Sequence, residues 1–150
     1  MFRWNMSLET GIADIDHGRR VLVEAMADYF QIIDLPSLNQ KLVAERTGAI
    51  YTAMKAAFAA EDSVLNGHGE PGAKHQATHA AFLLSYVDLC KKLVPKIKTL
   101  KQAQQACLEI YRLVDTGVYH HVTDESVTYK HMLRHPASSD GALTPAKTGS

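Results

Sequence analysis

His75 and His79 stand four residues apart, a spacing that puts two imidazoles on one side of a helical turn, where both can offer a nitrogen to one ion. A third histidine, His121, and an acid, Glu61, fall on inward-facing positions of two further helical patterns, and Arg19 falls on that of the first. Charged groups in an apolar interior are costly unless they are paired or bound to a metal. A lone histidine on an apolar face is most simply a hydrogen-bonded core residue. Two at i and i+4 with a third on a facing helix point instead to a metal site. Three neutral imidazoles with one carboxylate or water suit zinc, iron(II) or another divalent transition metal.

The other histidines read differently. His17, His68, His131 and His135 fall on solvated positions. His131 and His135 repeat the i,i+4 spacing, but among Lys130, Arg134 and Pro136 near a helix end. His120 points about 100° away from His121 on an ideal helix and belongs beside the site or at the surface.

Four amphipathic segments must position these residues. The first covers about 16–33, with Ile15, Leu22, Met26, Tyr29 and Ile33 in line with Arg19, and stops before Pro36. The second follows a cap at Ser37 and runs to about 66, its stripe being Val43, Thr47, Ile50, Met54, Ala57, Glu61 and Val64. Residues 67–72 read as a turn. The third, about 73–93, carries His75, His79, Phe82, Tyr86, Leu89 and Leu93 on one face before Pro95. The fourth, about 100–133, carries Ala103, Cys107, Ile110, Val114, Gly117 and His121. Short connections between four helical patterns imply an all-α, up-down-up-down four-helix bundle over residues 1–135. In that arrangement Arg19, Glu61, His75, His79 and His121 converge at one end of the core. Residues 136–150, rich in Ser, Gly, Ala, Thr and Pro without periodicity, read as a disordered tail.

With 150 residues, 46% of them hydrophobic, the chain is long enough for one domain with a sizeable core. Sixteen basic and sixteen acidic residues cancel, which gives no electrostatic reason to expect nucleic acid or an anionic membrane as partner. No apolar run approaches the roughly 18 residues of a spanning helix, and no signal peptide is visible. The cytoplasm is the simplest address. Cys90 and Cys107 lie inside helical patterns and read as buried free thiols, with a disulfide between them as the alternative.

The sequence resembles the bacterial hemerythrins. Phe2-Arg3-Trp4-Asn5, with Thr10-Gly11-Ile12 and Ile15-Asp16, looks like that family's N-terminal arm and first-helix entry. Phe58-Ala59-Ala60-Glu61-Asp62 is similar to its His-Phe-x-x-Glu-Glu segment, and His75-x-x-x-His79-x-x-Phe82 to its His-x-x-x-His-x-x-Phe segment. His121-Val122 with Tyr129 downstream resembles its fourth-helix element. The resemblance covers about residues 2–133. It implies a hemerythrin-like bundle in which His75, His79 and His121 match the histidines of one iron and Glu61 matches a bridging carboxylate. The remaining ligands of the family's diiron site are missing: Arg19, Ala57 and Ser126 occupy their positions. His17 would point away, and Glu125 could substitute only if the fourth helix distorts.

A reduced, mononuclear site holding iron or zinc is therefore expected in preference to a diiron one. The guanidinium of Arg19 would occupy the vacated metal position and pair with Glu61, and Ala57 would open space beside it. Reversible oxygen carriage in the family uses two irons, so the expected role is sensing or binding of metal, oxygen or nitric oxide. A small gaseous ligand would be the partner, and no protein partner is indicated. A diiron oxygen binder with compensated ligands, a mononuclear metal enzyme and a metal-free helical scaffold are the alternatives. No second acid–base pair is visible, which places the enzyme behind the binding protein.

Overall fold

The computed structural model describes residues 8–66 and 70–134, without the side chains of 70–71, 125–128, 130 and 132–134. Within these residues the chain is all-helical: α1 (Ala13–Gln31), α2 (Gln40–Leu65), α3 (Glu70–Leu93) and α4 (Leu100–Arg134), with a short 3-10 turn at Val94–Lys96. Each helix packs on the next and α1 also packs on α4, so the four share a core. Early residues of one helix meet late residues of its neighbour. The Gln40 amide donates to the Val94 carbonyl, and the Tyr86 hydroxyl donates to the Thr47 carbonyl at 2.8 Å.

Side chains at the helix ends set boundaries that periodicity misplaces. α1 begins at Ala13, three residues before the expected start, because its fourth residue reaches back over the entry. The Asp16 carboxylate accepts from Thr10 N at 2.8 Å, Thr10 Oγ1 at 2.9 Å and Gly11 N at 3.0 Å. That buried knot fixes the direction in which α1 leaves the preceding chain. α2 is capped by Asn39 and not by Ser37: Asn39 is extended and its Oδ1 accepts from Leu42 N at 3.0 Å. α3 already begins at Glu70, inside the stretch read as a turn, since a proline in the first helical turn removes no intrahelical bond. Pro95 does interrupt: α3 ends at Leu93 and the 3-10 turn follows.

The core falls into two apolar clusters. The larger includes Leu22, Met26, Tyr29, Ile50, Met54, Tyr86, Cys107, Ile110 and Val114. The smaller consists of Ile15, Leu65 and Tyr129, flanked by Ile12 and Val64. On α4 the buried line departs from the expected stripe. After Val114 it continues through Val118 and Val122, while Gly117 and His121 sit at its edge, only partly buried. Phe82, Leu89, Leu93 and Val64 are likewise partly buried. Both cysteines are free thiols; Cys107 is buried and Cys90 half-buried, and burial pushes both thiols up from their ordinary value. No described helix is long and apolar enough to cross a membrane. The residues of the N-terminal arm, Phe2 to Asn5, together with His68, His135 and 136–150, lie outside the described residues.

Candidate metal centre

The approach of α1 to α2 comes first, because it brings Arg19 within reach of Glu61. Gly18 lies against Ala57: a Cβ at Gly18 would stand 3.0 Å from Ala57 Cα. A small residue on each helix lets the backbones close on one another. The space that Ala57 was expected to open is therefore taken up by α1 itself.

Arg19 and Glu61 are each 1% exposed, and Arg19 Nε donates to Glu61 Oε1 at 2.6 Å. The guanidinium also lies over the Tyr129 ring, 5.4 Å from its centroid, where the ring face attracts a cation. The second oxygen, Glu61 Oε2, faces the other way. It stands 2.7 Å from His121 Nε2, 3.2 Å from His79 Nε2 and 3.4 Å from His75 Nε2. Burial alone pushes the Glu61 carboxyl up. Hydrogen bonds from His121, His75 and His79 and the charge of Arg19 outweigh it and hold the group well below the usual carboxylate range.

Three imidazole nitrogens and one carboxylate oxygen thus converge, all within 4.8 Å of one another, a group that could hold a metal ion. His79 Nδ1 is 2.8 Å from Asp62 Oδ1. An ionised carboxylate only accepts, so Nδ1 is the donor, which orients the ring and turns Nε2 inward. Nε2 stands 3.2 Å from Glu61 Oε2 and 3.0 Å from His121 Nε2. Electron-rich atoms crowded in this way are suited to a cation between them. The residues fit a divalent ion in kind as well as in number: three nitrogens and one oxygen, with a carboxylate behind one imidazole fixing its tautomer.

Apolar packing holds the rings in place. Phe58 stacks flat on His79, with centroids 4.0 Å apart and planes 4° apart, and meets His121 edge-on at 5.3 Å. Tyr129 meets His75 edge-on at 6.4 Å. The polar layer therefore lies between the two apolar clusters.

The structure brings together Arg19, Glu61, His75, His79 and His121, as their spacing implied. His17, His120, His131 and Asp124 are exposed, and the converging metal-ligating group does not include them. Glu125 and Ser126 lie outside the described side chains. Sequence periodicity missed Asp62. The residue after Glu61 sits about 100° around the helix from the core stripe, which is where α3 lies, and its acidic type beside a histidine-bearing neighbour was the available signal. No protein-family model, curated protein or solved structure matches the chain.

Proposed function

We propose that the chain is a divergent hemerythrin-like, up-down-up-down four-helix bundle that binds one divalent transition metal ion, iron or zinc, through His75, His79, His121 and Glu61. Its role on this reading is to sense or bind metal, oxygen or nitric oxide, and not to carry oxygen on two irons. The contact of early with late residues between successive helices supports the topology.

One observation carries the metal stoichiometry: the two oxygens of Glu61 serve different partners. Oε1 is engaged by Arg19 at 2.6 Å while Oε2 faces the three imidazoles. In a carboxylate bridging two ions both oxygens would be ligands. Here a guanidinium engages the oxygen that a second ion would need, with a permanent positive charge and a geometry matched to carboxylate. Ala57 offers no ligand, and α1 lies close against it at Gly18.

The test is elemental analysis of protein purified without added metal, with the ultraviolet–visible spectrum alongside. About one ion per chain, lost in His75→Ala, is expected from the donor set. Two irons per chain with oxo-bridge absorption would overturn the mononuclear reading. Full folding with indifference to metal and chelator would favour a scaffold.

A further inference from the structure

Beside the metal centre, between α3 and α4, lies a cleft of about 280 Å3 lined by Phe58, Thr78, His79, Phe82, Gly117, His120, His121 and Asp124. Three features set it apart from a packing defect. Its inner end is formed by His79 and His121, two members of the cluster, while His75, Glu61 and Arg19 do not line it. Its wall is aromatic, Phe58 and Phe82 meeting at 6.2 Å with planes 63° apart. Its rim is polar and exposed, with Thr78, His120 and Asp124.

The cleft depends on a glycine. A Cβ at Gly117 would stand 2.3 Å from Phe82 Cε2 and 2.4 Å from Phe82 Cζ. The Phe82 ring therefore occupies space that any other residue at 117 would take.

We propose that this cleft binds a small, flat, uncharged heteroaromatic molecule whose ring nitrogen is directed at the His79–His121 edge of the cluster; this rests on the reading of the cluster as a metal centre. The volume exceeds the roughly 150 Å3 cavity that accommodates benzene, so a five- or six-membered ring with a short substituent fits. Aromatic walls recognise a flat apolar body. The imidazoles of His79 and His121 at the inner end place a ligand's donor atom beside the ion-holding group, and the polar rim receives a hydrogen-bonding substituent. Pockets of this kind, apolar with a few convergent polar groups, are the usual form of small-molecule sites. A ligand here approaches from the side opposite Arg19, which closes the other side of Glu61.

The test uses the full chain loaded with cobalt(II), whose visible spectrum reports its ligands, titrated with 4-methylimidazole and separately with azide. Cobalt uptake with a spectral change that saturates with 4-methylimidazole is expected in the parent protein. Gly117→Ala, which drives Phe82 from its place, should weaken the 4-methylimidazole response by about tenfold or more while the cobalt spectrum and the azide response persist. Thr78→Trp, an exposed rim substitution without consequence for the core, should do the same and decides the matter if Gly117→Ala does not fold. Cobalt uptake with a spectrum indifferent to 4-methylimidazole overturns the pocket and leaves the metal reading standing. An equal response in the parent and in Thr78→Trp also overturns it. Failure to take up cobalt at all overturns both.

Discussion

Replacing Arg19 with methionine probes the feature that distinguishes this centre. Methionine keeps most of the buried stem volume, so the cavity penalty that would accompany alanine is largely avoided. What is lost is the positive charge that engages Glu61 Oε1 at 2.6 Å in a site where both side chains are 1% exposed. Removing one partner of a buried ion pair costs about 3–5 kcal/mol, because the other charge stays behind without compensation. Here Oε2 keeps its imidazole neighbours, which puts the expected loss near the lower limit, about 3 kcal/mol. For a chain of this size that corresponds to a drop in Tm of about 6–12 °C. The measurement is thermal and urea unfolding of the metal-free protein, with Glu61→Gln and the double variant completing a cycle. Arg19→Met with Glu61→Gln should be less destabilised than the sum of the singles, by about 2 kcal/mol. A Tm for Arg19→Met within about 2 °C of the parent, or strict additivity in the cycle, would refute the claim that Arg19 neutralises Glu61.

Three further outcomes follow from the same geometry. Asp62→Asn leaves His79 with a weaker acceptor behind Nδ1, so zinc affinity should fall about 10–100-fold while the fold survives, Asp62 being 27% exposed; a competition titration with a coloured chelator reads this, and unchanged affinity removes Asp62 from the site. Gly18→Val should cost about 1–3 kcal/mol, since its first carbon meets Ala57 backbone at 3.0 Å, whereas Gly48→Ala, with nothing within 4 Å of the added carbon, should gain about 0.5–1 kcal/mol; equal urea midpoints for the two variants would contradict the close approach of α1 and α2. The carboxyl of Glu61 is held below its ordinary range, so in the metal-free protein its contribution is fully present above the unfolded value of about 4.3 and is lost as pH falls through the folded value. Stability measured across that acid range should consequently decline less steeply in Glu61→Gln than in the parent, and parallel declines would show that Glu61 is not the group responsible.

How far the centre is legible in the sequence follows from what helical periodicity encodes. It reports the angle of a residue around its own helix, which is enough to place Arg19, Glu61, His75 and His79 inward. The i,i+4 spacing of the two histidines adds their shared height along α3. Periodicity does not report how closely two helices approach. The contact of Gly18 with Ala57, which sets how closely α1 lies on α2, is therefore invisible to it. Nor does it reveal end caps that reach outside the helix, which is why Asp16 lengthens α1 and Asn39 displaces Ser37 as the cap of α2. His121 shows the limit within a helix. Over 35 residues a stripe chosen at one end drifts, and the core of α4 passes to Val118 and Val122 while His121 reaches the cluster from its edge.

These departures share a physical logic. Arg19, Ala57 and Glu61 form one coordinated arrangement, in which the salt bridge and the close approach of α1 to α2 belong together. A carboxylate with a single ion on Oε2 would leave Oε1 charged in an interior with no water to satisfy it, at a cost that the fold has to offset. Arg19 supplies that missing charge on the same oxygen. Its long stem reaches Glu61 from α1, and the small side chain at Ala57 allows α1 to come close. The remaining oxygen is then held at 2.7 Å from His121 with its direction set by the arginine. On the mononuclear reading proposed above, Glu61 offers one oxygen to an ion while the salt bridge holds the other.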